Sequence, residues 1–269
     1  MALEPALDDR QGAPTAEASS DRYAYDPADP APSVGGLICC ISREAAPPGA
    51  YDQSEVGRRP DVLVYETGVL DRDLEVTGPL TATLYVSSSA KDTDFTVKLI
   101  DVHPDGKRYN IQESILRARF REGFEKEVFM EPGGVYRLEI DFHATSNVFL
   151  EGHRIGLQVS SSNFPRFVRN LNTGGNNCDE TEWVVAENTV HHSREYPSHI
   201  TLPVQARKSH QLPAADADAL ALRGRAPSSR FDILSSMPAP ASGPRGHAGR
   251  RLDALATKVG EICGLGVRR

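Results

Sequence analysis

The chain has 269 residues, of which 39% are hydrophobic and 7% aromatic, and its net charge at pH 7 is −7. No stretch approaches the roughly 18 consecutive apolar residues of a membrane span, so no membrane partner is expected. Nucleic-acid binding depends on neutralisation of phosphates by basic groups, and an excess of acidic groups argues against it, so no nucleic-acid partner is expected. The N-terminus has no apolar signal region, which predicts a cytoplasmic location.

Composition divides the chain into three parts. Residues 1–21 are rich in Ala, Asp, Glu, Pro and Ser without periodicity, and we interpret them as a linker or a severed N-terminus. Residues 22–205 carry the patterns of one β domain. Residues 206–269 hold 11 Lys/Arg against 5 Asp/Glu, a net charge of +6 that leaves −13 for the rest. This last part is predicted to be a flexible basic tail, disordered or with a short amphipathic helix over 251–262.

Short strands separated by turn signals begin near Asp61. The apolar run 62–65 is typical of a buried strand, whereas later segments alternate apolar and polar residues, as strands with one wet face do. The turn at Pro104-Asp-Gly106 predicts a hairpin. Further strands are expected over 80–89, 95–102, 108–120, 136–142, 154–161, 189–192 and 200–204. Eight or nine antiparallel strands at this spacing predict an all-β fold, a jelly-roll β-sandwich of the galactose-binding-like type.

The alternation also predicts the core of the sandwich. On each strand the apolar residues at every second position must face the same side. We expect the following side chains to be buried: Leu84, Val86, Phe95, Val97, Leu99, Leu138, Ile140, Ile155, Leu157 and Val159.

Polar residues that could carry chemistry have mostly structural interpretations. Asp92 and Asp94 are expected to accept hydrogen bonds from backbone N–H groups at the start of a strand rather than to bind calcium. His191 and His192 point to opposite faces of a strand, so they cannot chelate one ion. A turn position is predicted for His153, with an exposed or capping role. No metal site and no cofactor are predicted, and the four cysteines are expected to be reduced.

Four segments in order resemble one known family. They are Tyr25-Asp-Pro-Ala-Asp-Pro30, Arg59-Pro-Asp-Val-Leu-Val-Tyr65, the stretch from Asp92 to Gly106, and Ser160-Ser-Ser-Asn-Phe-Pro-Arg-Phe-Val-Arg-Asn-Leu-Asn-Thr-Gly174. Together they resemble the C-terminal β-domain of the cocaine esterase and X-Pro dipeptidyl-peptidase (CocE/NonD) serine hydrolases. The resemblance runs from about residue 22 to residue 204.

The resemblance implies a domain without catalytic residues of its own. In this family the Ser, Asp and His belong to an α/β-hydrolase domain, and the Gly-x-Ser-x-Gly turn of such domains is missing here. The expected partner is that hydrolase domain, which would cleave esters, amides or dipeptides without a metal. The resemblance also implies that residues after Gly35-Gly36 line the substrate pocket, namely Leu37, Ile38, Cys39 and Cys40.

The loop of residues 163–170 is expected to dock on the hydrolase domain through Phe164, Arg166, Phe167 and Arg169. An equally weighted alternative is that the two rings cap the end of the core while the two arginines bridge turns. An exposed docking surface would make self-association possible. Two other functions stay open: an autonomous carbohydrate-binding module, which needs exposed aromatic residues clustered on one sheet, and an inactive remnant of a split gene.

Overall fold

A computed structural model describes residues 19–37 and 47–205, which form two antiparallel β-sheets around a shared core. The all-β sandwich is therefore confirmed, while its jelly-roll type stays a prediction. One short helix, α1 (Ser54–Gly57), and a 3-10 turn (Ala118–Phe120) interrupt the strands. In chain order the strands are β1 (Ser20–Tyr25), β2 (Leu63–Glu66), β3 (Leu74–Ser88), β4 (Asp94–Val102), β5 (Arg108–Arg117), β6 (Tyr136–Phe149), β7 (Arg154–Ser160), β8 (Ala186–His191) and β9 (His199–Thr201).

Each sheet brings together strands that are distant in sequence. The first sheet has the order β1-β8-β3-β6, with β9 also pairing with β3, and the second has the order β2-β7-β4-β5. In the first sheet Leu84 lies opposite Leu138, and in the second Val97 lies opposite Val159. Because side chains alternate along a strand, these registers point the apolar residues of both sheets at each other.

The predicted core is confirmed in full. All ten side chains expected inside belong to one cluster of buried residues between the sheets. The same cluster includes Leu80 and Phe142, which continue the apolar faces of their strands, and two large side chains that the alternation did not single out, Tyr25 and Phe149. Burial of each such side chain stabilises the fold by about 1.5–3 kcal/mol before conformational entropy is subtracted.

The central strand β4 has no solvent-exposed face. All nine of its residues are buried, including Thr96 and Lys98, which alternation had placed on the polar side. The outer face of the sheet is covered by α1 and the loops beside it, where Val56 and Val62 pack with Ala31. Lys98 Nζ donates to Gln53 Oε1 at 2.9 Å, and loss of water lowers the pKa of this ammonium group.

Several strand boundaries differ from the predictions. Strand β1 begins at Ser20, inside the stretch interpreted as a linker, because Tyr23 and Tyr25 supply its buried face. The run 62–65 was predicted to be a buried strand, which is wrong: β2 pairs only with β7 and lies at a sheet edge, with Val64 exposed. The tail 206–269 and its predicted helix lie outside the described residues.

Two buried tyrosines predict instability at alkaline pH. Burial raises the pKa of Tyr23 and of Tyr25 far above the usual value of about 10. Above pH 10 the unfolded chain loses the two phenolic protons, whereas the folded chain keeps them. The free energy of unfolding therefore falls as pH rises, by up to about 1.4 kcal/mol per pH unit for each tyrosine. Urea unfolding at pH 9 to 11 should show this slope, and Tyr23→Phe should reduce it. An unchanged slope in that variant would contradict the assignment.

Candidate domain-docking site

Asn170 fixes the C-terminal end of the loop of residues 163–170, here called the aromatic loop, to the sandwich. Its side chain is fully buried, and Nδ2 donates to Asp92 Oδ2 at 2.7 Å and to Asp94 Oδ1 at 2.8 Å. The hydroxyl of Tyr25 donates to the carbonyl of Asn170 at 3.1 Å. Two distant parts of the chain, the end of β1 and the start of β4, therefore hold this loop position.

Asp92 has the structural role predicted for it, whereas Asp94 accepts from the side chains of Arg117 and Asn170. Asp92 accepts from the backbone N–H of Arg119 at 2.9 Å and forms an ion pair with that arginine, while Asp94 forms a two-point pair with Arg117 at 2.8 and 3.0 Å. Burial raises the pKa of Asp94, and the hydrogen bonds from Arg117 oppose that effect. These pairs also fix β4 against the end of β5.

Glu113 connects the two segments predicted to face another domain. Its carboxylate lies buried in the middle of β5, and Oε1 accepts from the backbone N–H of Leu37 at 3.3 Å. The same oxygen lies 2.9 Å from Arg166 Nε, and Asn163 Nδ2 donates to Oε2 at 2.8 Å. Arg166 also donates to the carbonyl of Leu37. Leu37 and the aromatic loop are thus brought together as one surface.

A glycine pair makes this approach possible. Gly35 and Gly36 have φ values of 69° and 89°, a region that L side chains rarely adopt. A Cβ on Gly36 would lie 2.2 Å from Glu113 Oε1, so only glycine lets the backbone reach the carboxylate. The pair therefore positions Leu37, whose side chain is 53% exposed.

The two phenylalanines of the loop are half-buried and do not cap the core. Neither Phe164 nor Phe167 belongs to the hydrophobic clusters formed by the described residues. The backbone of Phe164 bonds to Ala31 and Ser33, and the guanidinium of Arg166 lies 4.9 Å from the ring centre of Phe167. Both residues therefore keep part of their surface accessible, and their docking role stays a prediction.

The arginines of the loop both bridge to other segments. Arg166 reaches Leu37, and Arg169 donates to the carbonyl of Pro27 at 2.6 Å. This part of the capping alternative, that the arginines bridge turns, matches the contacts.

Of the predicted pocket residues, Leu37 lies beside an open cleft of about 300 Å³ between β5 and β6. Ile38, Cys39 and Cys40 lie outside the described residues.

The histidine predictions have mixed outcomes. His191 Nε2 lies 2.9 Å from Ser87 Oγ, whereas His192 Nε2 lies 2.9 Å from Asp21, so the two rings have separate partners, as predicted. The exposed or capping role expected for His153 is wrong, because its side chain is buried against Asp101. The sequence predicts only that His153 lies in a turn, whereas its partner Asp101 belongs to the neighbouring strand β4.

The cysteine prediction is wrong for Cys178, which is disulfide-bonded. Glu113 was not predicted from the sequence, and Asn170, predicted as part of the docking loop, is instead a buried anchor of that loop. The one available signal for Glu113 is a charged residue amid the polar run 112–114 of a strand whose flanking residues, Ile111 and Ile115, are apolar.

Comparison with known proteins identifies the family. The X-Pro dipeptidyl-peptidase C-terminal non-catalytic domain matches residues 3–201, which is most of the chain. The chain belongs to this family. Its X-Pro dipeptidyl-peptidase C-terminal domain is 50% identical over 191 residues to the cocaine esterase of Rhodococcus sp. (strain MB1 Bresler), covering 70% of this chain and 33% of that protein.

Solved structures show the same relationship. An aminopeptidase from a marine sediment Thaumarchaeota archaeon matches with a TM-score of 0.66 and 33% identity, covering 72% of this chain and 34% of its own. An α-amino acid ester hydrolase matches with a TM-score of 0.65 and 30% identity, and the match covers 71% of this chain and 33% of the hydrolase chain. The chain spans about a third of these relatives, and its X-Pro dipeptidyl-peptidase C-terminal domain corresponds to their non-catalytic part.

Among the described residues, no helix is long and apolar enough to cross a membrane.

Proposed function

We propose that this domain docks on the α/β-hydrolase catalytic domain of an acyl hydrolase that cleaves esters or peptides. It would support that domain and partly line its active site with Leu37 and residues 38–40. The proposal is supported by the family, since the relatives named above are an esterase, an ester hydrolase and an aminopeptidase about three times as long as the matched part. The nucleophile, base and oxyanion hole would come from the partner.

The observation that carries the proposal is the joint anchoring of Leu37 and the aromatic loop on Glu113. A buried carboxylate that holds two surface segments is costly unless its charge is compensated, and here Arg166 lies 2.9 Å and Lys98 3.9 Å from it. The result is that Leu37 and the half-buried Phe164 and Phe167 lie in segments held together by Arg166. Aromatic residues and arginine are the types enriched in protein interfaces.

The test is complementation by a relative's catalytic part. The chain would be co-expressed with the two-thirds of the Rhodococcus cocaine esterase that lie outside the matched region. We expect the chain alone to show background hydrolysis of an activated ester, with no labelling by a fluorophosphonate. Together the two parts should co-purify and hydrolyse the ester, and the chain's tendency to self-associate should decrease.

A double variant, Phe164→Ser with Phe167→Ser, should weaken the complex at least tenfold while the melting temperature of the isolated chain changes little. The matched control is Phe124→Ser, since that ring is 83% exposed and lies in another loop. If the control weakens the complex as much as the double variant, or if neither does, the docking surface is wrongly placed.

The carbohydrate-binding alternative has less support. It required exposed aromatic side chains on one sheet face. In the described part of the chain the most exposed aromatic residues are Tyr51, Phe124, Phe129 and Trp183, and all four lie outside the strands. They therefore do not form a stacking platform on either sheet.

A further inference from the structure

Three potential metal ligands meet at one end of the four-stranded sheet, apart from the docking site. Asp101 is near the end of β4, His103 follows that strand directly, and His153 precedes β7. Because Val102 pairs with Arg154 in the antiparallel register, the end of β4 and the start of β7 lie side by side. One donor atom from each of the three residues lies within 4.8 Å of the others.

The carboxylate of Asp101 differs from the other buried aspartates. Asp61, Asp92 and Asp94 each form an ion pair with an arginine. In the hydrogen bonds and ion pairs of the described residues, Asp101 instead meets two imidazoles. Its Oδ1 lies 2.8 Å from His153 Nδ1 and its Oδ2 lies 3.5 Å from His103 Nε2, although the residue is only 8% exposed.

We infer that Asp101, His103 and His153 form a binding site for a divalent first-row transition-metal ion such as Zn²⁺. Two neutral imidazoles and one carboxylate are a donor set that suits these ions, whereas Ca²⁺ and Mg²⁺ prefer oxygen ligands. The cation would supply the positive charge that arginines supply to the other buried aspartates. Three protein ligands leave a further position for water.

The backbone around the site is fixed on both sides. His103 N–H donates to the carbonyl of Lys107 at 2.9 Å, which closes the β4–β5 hairpin. The carbonyl of His153 accepts from Leu70 N–H at 2.8 Å, and its N–H donates to Leu150 at 3.1 Å. The ion would therefore clip the hairpin to the turn before β7.

A rotation of the His103 side chain would close the site. Ligand distances of about 2.0–2.2 Å require donor atoms within about 4.2 Å of one another. The His103 side chain is 35% exposed, so it has room to turn and gives the ion a path from solvent. His153 and Asp101 are already in contact and form the preformed half.

The experiment is a metal titration of the full chain, purified without a histidine tag. Zn²⁺ would be titrated by calorimetry, and Co²⁺ by its visible absorption, which reports coordination by nitrogen and oxygen ligands. We expect one equivalent to bind with micromolar affinity and to raise the melting temperature. His103→Ala, at a half-exposed position, should weaken binding at least tenfold and abolish the shift in melting temperature.

The matched control is His143→Asn. This histidine is exposed and has a φ of 60°, a conformation that asparagine tolerates. It should leave the affinity unchanged, and Asp101→Asn should lower it as His103→Ala does. The inference is overturned if no ion binds, or if His103→Ala binds as tightly as the parent while its circular dichroism shows a folded protein.

Discussion

Arg119→Met is expected to lower the free energy of unfolding by about 3–5 kcal/mol. The guanidinium of Arg119 is nearly buried and lies 2.8 Å from the fully buried carboxylate of Asp92. It also pairs with Glu127 at 3.1 Å and donates to the carbonyl of Gly175 at 3.0 Å. Methionine fills similar space but leaves Asp92 with neutral donors only, so a buried charge loses its compensation.

The control for this change is Arg137→Met. Arg137 pairs with Glu139 at 2.7 Å, but both side chains are at least half exposed. Water screens such a pair, and its loss should change stability by less than about 1 kcal/mol. Urea unfolding followed by far-UV circular dichroism measures both variants. A cost below 1 kcal/mol for Arg119→Met would show that Asp92 does not depend on this cation.

Leu157→Ala is expected to cost about 2–5 kcal/mol of stability. Leu157 lies on β7, the strand between β2 and β4, and is buried in the main cluster. Its neighbour across the sheet is Leu99. Strands on both sides restrict collapse into the space left by the shorter side chain, so a cavity remains and the lost contacts are not replaced.

Val64→Ala is the matched control on the neighbouring strand. Val64 lies at a sheet edge and is exposed, so this change should cost less than about 1 kcal/mol. The same urea experiment compares the two variants. Near-equal costs for Leu157→Ala and Val64→Ala would mean that the assigned faces of β2 and β7 are wrong.

Sequence alternation predicted the fold where one side of a strand meets water. It recovered β6, where buried apolar residues alternate with exposed polar ones. On β7 it gave only the apolar face, since Gly156, Gln158 and Ser160 are buried as well. It failed on the polar face of β4, where Lys98 looks solvent-facing but is buried and bonded to Gln53, 45 positions earlier in the chain. Thr96 is likewise buried and donates to the carbonyl of Ser162, 66 positions later. Local periodicity contains no information about such long-range coverage.

The candidate site was predictable only where local motifs mark it, because its long-range contacts leave no local pattern. The resemblance located Leu37 and the loop at Phe164, because these segments carry recognisable motifs. It did not predict that Glu113 joins them, since its contacts to Leu37 and Asn163 span 76 and 50 positions. Whether this surface docks on a partner stays a prediction that the complementation experiment decides.

The anchoring of the aromatic loop has a consequence for binding thermodynamics. Ordering a free loop during association costs about 0.5–1.5 kcal/mol for each immobilised side chain. Here Asn170 and Arg166 already hold the loop against buried carboxylates. That entropy is lost during folding of the domain, so a partner that meets this surface would encounter a preorganised shape, and the apolar area it covers would contribute more directly to affinity.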